Sequence, residues 1–526
     1  MIGTRDSIGN ILTARAAELP DRVAVSLDGT TYTFAELDAR SDTLAAGLAA
    51  LGVRPGDRVA TLAPNRIELL ELYYGVAKTG AAQVPLNAFL KGEFLRHQLV
   101  VSRASVLITD AAGLAALAPF RDTLGELKTI VTFDDLADGV PYGELLVSGD
   151  TRPDVTVTTD DIMSIVFTSG TTGLPKGCVA PHGYYCRSAD VIGSALEVTR
   201  DDVMFAGLPL FHSGARLVTV GIPLLFGIPT YIQGSFSATR YFPEAAEHGA
   251  TLMVAVGAMA AAILATEPGP SDRDHQVRRV MAAPVSAAGQ VAFRERFNVD
   301  PWVDIFGQSE CFPVTATALS ATELRDPAGC GRPADDLEVA LLGDDGRAVP
   351  DGEIGEISVR PKEPYAMFDG YFEQPAATLD AFAGLWYHTG DYGRILPSGA
   401  VAFVDRKKDA LRRRGENISS IELEAGINGH PSVVESAVHA VPSELGEDDV
   451  KACLVVSAEV DPKELFGYFK DNLPYFAIPR YVEVVTELPR NGVGRVLKHQ
   501  LRDAGVTATT WDFDELGLTV SKDERR

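Results

Sequence analysis

Cysteine is scarce in this sequence. The chain has five in 526 residues, an odd count with no CxxC pair, which excludes a disulfide scaffold and fits reduced thiols in a cytosol. Cys178, His182 and Cys186 superficially suggest a metal site, but C-x3-H-x3-C has no fourth ligand nearby. Positive charge is also short: 47 Lys and Arg stand against 72 Asp and Glu, a formal net charge of −25. That balance excludes a general polyanion binder, so nucleic acid is not an expected partner, although one basic pocket can still hold a phosphate. Long apolar runs are missing. The stretches from Leu217 to Ile232 and from Leu252 to Ala265 fall short of the ~20 residues a membrane helix needs, and the first is broken by Pro223 and Pro229. Both read as buried core, and no membrane partner is expected. The start, MIGTRDSIGN, carries no apolar core behind a basic end, so it does not read as a secretory signal and a cytoplasmic location is expected. Internal repeats and low-complexity segments are absent as well.

What is present is apolar enough for sizeable cores: 46% of the residues are hydrophobic and 23% charged. Single cores stop growing near roughly 250 to 300 residues, so two unequal domains are expected. From Thr33 to Leu86 the chain alternates FAELDARSDTLAAGLAALGV, the turn RPGD, the strand-like RVATLAP and the helical ELLELYYGVAKTG. This is a βα rhythm with helix ends at Gly52 and Gly80. SVLITD, LKTIVTF and IMSIVFT continue it as strands. The expected fold class is α/β, with helices on both faces of a sheet. Between Gly329 and Val404 short strands and turns take over, which predicts a β-rich subdomain. A basic patch, DRKKDALRRRGENIS, follows Asp405 and leads into a short αβ pattern. The expected domains are therefore 1–405 and a small α+β domain, 406–526.

The strongest local signal is FTSGTTGLPKG, Phe167 to Gly177, directly after an apolar strand. Gly170, Gly173 and Gly177 free backbone amides to approach a ligand. Ser169, Thr171 and Thr172 supply hydroxyls, and Lys176 supplies a positive charge. Such a loop suits a phosphate. It is not a Walker A loop, because Lys176 stands between Pro175 and Gly177.

With this loop the chain resembles the adenylate-forming superfamily of acyl- and aryl-CoA synthetases, luciferases and peptide-synthetase adenylation domains. The resemblance covers nearly the whole chain. It continues in order through GLPLFHSGA, FGQSE, LWYHTGD, DRKKDALRRRGENISSIELE and LPRNGVGRVLKHQLR. The details LWYHTGD, RRRGENISSIE, PYFAIPRYVE and GVTATTWD look most like the crotonobetaine/carnitine-CoA ligase branch. The resemblance implies ATP, Mg²⁺ and CoA, and it implies roles. Thr168, Ser169, Gly170, Thr171, Thr172, Gly173 and Lys176 would hold phosphate. Asp391 would accept both ribose hydroxyls, with Arg406 in support. Glu310 offers the hard oxygen that Mg²⁺ prefers, and Ser309 a donor to the α-phosphate; a capped helix start is the other reading of that pair. Ala283 and Pro284 would line the adenine and Phe306 stack on it, with Asp304, Gly307 and Gln308 beside them; apolar packing explains these apolar residues equally well. His212, after the strand-like GLPLF, would sit near the substrate carboxylate or be structural.

In the family a small C-terminal domain rotates about a hinge between adenylation and thiol attack. Lys408 occupies the hinge position, Gly415 would face the thiol tunnel, and Arg412 to Arg414 would meet CoA phosphates or form a solvated charge run. One position departs from the pattern. Relatives generally read PRTxxGK where this chain reads PRNGVGR, which places Arg495 where the catalytic lysine stands. A planar guanidinium is not a conservative replacement for an ammonium. Gln308 is a second departure, at a position where smaller or aliphatic residues are usual. The leading reading is an ATP-dependent acyl- or aryl-CoA synthetase acting on a small-molecule acid. Its alternatives are an adenylate-forming enzyme with a non-thiol acceptor, such as an amide ligase or a nitrite-activating diazotase, and a nucleotide-binding pseudoenzyme. The acid pocket is expected from His212 to Val218, Val256 to Met259 and the surroundings of Cys311, where small residues such as Gly257 and Ala258 suggest room for a ring. A homodimer is a fair expectation for a symmetric enzyme.

Overall fold

Strand residues near the start of the chain alternate in direction, as a period of two requires. In the strand Arg58–Leu62, Val59 packs with Leu44, Leu72 and Val76, while Ala60 and Leu62 pack with Leu95, Leu99 and Leu117. Val106 and Ile108 join the first group and Leu107 joins the second. The helices Phe34–Ala50 and Glu68–Thr79 thus cover one face of this sheet, and Gly92–Ser102 and Ala111–Leu117 the other. Burial on both faces is what a parallel sheet needs. The seven strands run in the order Val140–Pro141, Thr129–Thr132, Val106–Thr109, Arg58–Leu62, Ala82–Leu86, Ile162–Thr168 and Lys176–Pro181. All neighbours are parallel except the last pair.

The computed structural model describes residues 6–134, 136–146, 152–168, 175–350, 352–407, 411–413, 416–418, 420–442, 448–473, 477–490 and 496–520. The chain divides into a larger unit, Met1–Val339 with Ser358–Tyr387 and Ile395–Ala402, and a smaller one, Ala340–Ile357, His388–Arg394 and Phe403–Arg526. Helix punctuation in the larger unit follows the sequence. Phe34–Ala50 opens with a capping box in which Thr33 and Glu36 satisfy each other's backbone N–H groups. Glu68–Thr79 closes on Gly80 at φ 73°, a left-handed cap that glycine adopts without strain.

A second seven-stranded sheet runs Pro301–Trp302, Arg279–Ala283, Leu252–Val256, Met204–Ala206, Thr230–Ile232, Val23–Leu27 and Thr30–Thr33. Both long apolar stretches feed its core. Leu217 to Ile232 becomes the end of a π-helix, the helix Gly221–Phe226 and a strand, and Leu252 to Ala265 becomes a strand and a helix. Among the described residues no helix is long and apolar enough to cross a membrane. One strand expectation needs correcting. The strand ends at Ala206 and GLPLF is irregular, because Pro209 has no N–H for a ladder. Asn65 replaces the ladder by donating to Leu208 O at 3.0 Å and accepting from Leu210 N at 2.7 Å.

The turn-rich segment after Gly329 carries the strands Leu337–Leu342, Gly355–Pro361, Tyr387–Ile395 and Val401–Arg406. Within the smaller unit the strands Val433–Pro442, Asp448–Val456, Tyr481–Val484 and Trp511–Asp512 form a sheet in that order. The helices Ser420–Asn428 and Pro462–Asn472 bury Leu423, Ile427, Leu465 and Phe469 with it.

Candidate active site

The phosphate-loop motif lies between two paired strands. Ile162–Thr168 and Lys176–Pro181 are antiparallel, with Thr168 opposite Lys176. Ser169, Gly170, Thr171, Thr172 and Gly173 lie outside the described residues, but both ends of the loop are held. At the far end, His97 Nε2 and Pro175 O are 2.9 Å apart. At the near end, Thr168 Oγ1 donates to Glu310 Oε1 at 3.0 Å.

Glu310 reaches this point from a hairpin of Ile305–Gln308 and Cys311–Ala316, whose turn is Ser309-Glu310. The pair is therefore a hairpin turn and not a helix start. Tyr184 Oη and Cys178 Sγ donate to Ser309 O at 3.0 and 3.3 Å, and Ser309 Oγ lies 2.9 Å from Ser213 Oγ. Gly307 has no room for a side chain, because a Cβ would stand 2.7 Å from Cys311 O. Gln308 Oε1 accepts from Tyr387 Oη at 3.0 Å. Phe306 is half-buried, while Asp304 is buried with its carboxylate on Arg325 at 2.7 Å.

Tyr371 went unnoticed in the sequence. The segment around it docks beside the strand Lys176–Pro181 through Val179 N to Gly370 O, 3.0 Å, and Phe372 N to Gly177 O, 2.8 Å. Its hydroxyl donates to Glu310 Oε1 at 3.0 Å, and its ring centre lies 4.8 Å from Lys176 Nζ. Burial and the nearby carboxylate hold the phenol well above its ordinary pKa, so it remains a donor. The only sequence trace of this role is an aromatic in FDGYF, which core packing explains as well. Both donors to the Glu310 carboxylate fall on Oε1, and Oε2 has no partner among the described residues. This buried carboxylate thus keeps one oxygen without a protein donor among those residues, and the tyrosine that holds the other oxygen also lies against the cation of Lys176, an arrangement fit for a metal-bound polyphosphate.

Ala283 ends the strand Arg279–Ala283 opposite Val256, and Pro284 is exposed. The glycine at 257 serves this wall. A Cβ there would lie 2.4 Å from Pro284 O, so Gly257 admits a backbone carbonyl and does not make room for a ring as expected. Val256 and Ala258 are exposed. His212 is solvent-accessible, yet enough protein surrounds it that desolvation lowers its pKa. Cys178, His182 and Cys186 are buried and separately engaged, with Ser309 O, the Ile8 N–H and Asp6 O.

In the smaller unit, Asp391 is buried and its N–H donates to Thr389 Oγ1 at 3.1 Å. Arg406 Nε stands 3.6 Å from Asp391 Oδ1. Asp405 anchors the following segment by accepting from Arg406 N, Ser420 N and Ser420 Oγ at 2.6 to 2.7 Å. Lys408, Arg414, Gly415 and Arg495 lie outside the described residues, as do the side chains of Arg412 and Arg413.

The family model for AMP-binding enzymes matches residues 12–372, and the one for the AMP-binding enzyme C-terminal domain matches residues 422–495. A feruloyl-CoA synthase from Amycolatopsis is 33% identical over 500 residues, 94% of this chain and 98% of its own. A crotonobetaine/carnitine-CoA ligase from Salmonella arizonae is 31% identical over 485 residues, 90% and 93% of the two chains. Among solved structures, the o-succinylbenzoate-CoA synthetase of Bacillus subtilis with its acyl-adenylate intermediate superposes with a TM-score of 0.82. It is 28% identical and covers 94% of this chain and 98% of its own.

Proposed function

The chain belongs to the AMP-binding enzymes of the adenylate-forming superfamily, and from that premise we propose that it is an ATP-dependent ligase that joins a small carboxylic acid to CoA. The observation that carries the reading is the Glu310 carboxylate, held on Oε1 by Thr168 and by Tyr371, whose ring also lies against Lys176, while Oε2 has no donor among the described residues. Relatives named as a CoA synthase and a CoA ligase, at 33 and 31% identity over 94 and 90% of the chain, support CoA as the acceptor.

The chemistry is a charge problem. A carboxylate is a poor electrophile, so its oxygen attacks the α-phosphorus of ATP, the bond to the β-phosphate oxygen breaks, and pyrophosphate leaves with the electron pair. The CoA thiol, on losing its proton, then attacks the acyl carbon and AMP departs. Lys176 and the Thr168 loop offset negative charge on the phosphates. The residues at Glu310 fit Mg²⁺, which supplies further neutralisation of the polyphosphate when bound. Asp391 takes the ribose hydroxyls with Arg406 behind it, Ala283, Pro284 and Phe306 take the adenine, and His212, Val256 and Ala258 border the acid. Gly415 and the arginines before it face CoA. A hinge at Lys408 between the domains 1–405 and 406–526, and Arg495 as the cation for the first step, belong to the same proposal. The five cysteines are free, which supports a reducing cytosol as the location.

The test is pyrophosphate release with a panel of carboxylates, with and without CoA, read together with thioester formation. An acid-dependent burst of pyrophosphate followed by CoA thioester is expected. Adenylate that accumulates beside CoA without thioester would overturn the acceptor, and ATP binding without any release would overturn the ligase.

A further inference from the structure

Among the described residues four Lys and Arg side chains are buried: Arg15, Lys78, Arg216 and Lys451. Three of them carry a carboxylate. Arg15 pairs with Glu18, Lys78 with Asp38 and Asp42 at 2.6 Å, and Lys451 with Glu483 at 2.5 Å. Arg216 does not, although it is only 5% exposed. Its Nη2 donates to Gln83 Oε1, its Nε donates to Tyr185 Oη at 3.4 Å, and its guanidinium lies 4.7 Å from the centre of the Tyr73 ring. All three neighbours are neutral. No carboxylate of the described residues stands within 4 Å, and Nη1 has no partner among them. A charge removed from water without a counter-ion is costly, and an aromatic face offsets only part of that cost.

The setting suggests what completes it. Arg216 belongs to the π-helix Ala215–Val220, one turn past His212, whose carbonyl accepts the Arg216 N–H at 3.2 Å. Such π-turns occur frequently at functional sites. A cavity of about 10 Å³ adjoins the side chain, and its other polar lining residues are Thr61 and Gln83, set among Leu72, Leu210 and Phe211. That is room for about one water-sized group, the scale of one anionic oxygen; a halide ion is somewhat larger and needs the lining to give slightly.

We infer that Arg216 forms a small-anion site that takes one compact negative charge, either a free halide-sized ion or the distal anionic group of the acid. The second source rests on the proposal that the chain activates a carboxylic acid, and the first does not.

Two arms separate the sources, and both are read first on the parent chain, so a variant that fails to fold leaves the inference refutable. In the halide arm, thermal midpoints are compared in chloride, bromide and gluconate at equal ionic strength. A saturable rise with halide and none with gluconate is expected of a free-ion site, and the Arg216→Met variant should not respond. In the acid arm, kcat/KM for thioester formation is compared between monoacids and partners of equal length with a second anionic group. A preference of tenfold or more for the doubly charged acids, abolished in Arg216→Met, is expected of a substrate-borne anion. A parent with neither halide stabilisation nor that preference overturns the inference while leaving the ligase intact. If no acid is activated, the proposed function falls and the halide arm alone decides.

Discussion

Tyr371→Phe removes one hydroxyl and keeps the ring. Among the described residues the Glu310 carboxylate then retains only Thr168 Oγ1 as a donor, while the ring under Lys176 Nζ at 4.8 Å is preserved. A hydrogen bond to a charged group contributes about 1.5 to 3 kcal/mol. If that bond orients Oε2 toward the metal-bound phosphates, kcat/KM for MgATP should fall about ten- to a hundredfold. The buried carboxylate should also be less tolerated in the free protein, which lowers the thermal midpoint by a few degrees, at roughly 2 to 4 °C per kcal/mol for large domains. Saturating MgATP should recover most of that loss, since a cation on Oε2 offsets the charge. The assay is pyrophosphate release against MgATP concentration, paired with thermal unfolding with and without MgATP. A variant within twofold of the parent rate, with an unchanged midpoint, would refute the claim that Tyr371 positions Glu310.

Gly257→Ala places a Cβ 2.4 Å from Pro284 O, so calorimetry should show a loss of about 1 to 3 kcal/mol by overpacking, and ATP titration a higher KM. His182 is buried, accepts the Ile8 N–H on Nδ1 and is held down to a pKa of about 4. Between its unfolded value near 6.5 and 4 the unfolded chain binds the extra proton, so stability falls as pH drops through that window, by about 3 kcal/mol in all. Denaturant midpoints from pH 7.5 to 4.5 should show this, and His182→Gln should flatten the slope by about one proton; an unchanged slope would exclude His182 as its source. Asp391→Ala should weaken ATP binding by on the order of 1.5 to 3 kcal/mol in calorimetry with folding intact, and unchanged affinity would remove it from the ribose. Arg495→Ala should slow single-turnover pyrophosphate release by about 10² to 10³ with ATP binding nearly intact, while Arg495→Lys retains or raises the rate; an alanine variant as fast as the parent makes Arg495 a spectator.

Local chemistry was legible in the chain itself. The alternation Val59-Ala60, the cap at Gly80 and the Gly- and Thr-rich loop after Phe167 are properties of neighbouring residues, and periodicity and dihedral preference act over that range. The ordered motifs from FTSGTTGLPKG to LPRNGVGRVLKHQLR identified the superfamily for the same reason, each being a short segment with its own chemistry. Tertiary structure decided what those segments meet. Tyr371 reaches Glu310 across 61 positions and Ser213 reaches Ser309 across 96, and nothing local distinguishes such a hydroxyl from one that only packs. Gly257 looked like free space until the Pro284 carbonyl filled it, and GLPLF looked like a strand until Asn65 took its backbone groups. Arg216, inside an apolar stretch of otherwise ordinary pattern, became an unpaired buried cation only through the neutral groups that folding placed around it. Whether a charge finds a counter-ion depends on contacts between distant segments, which residue spacing along the chain does not encode.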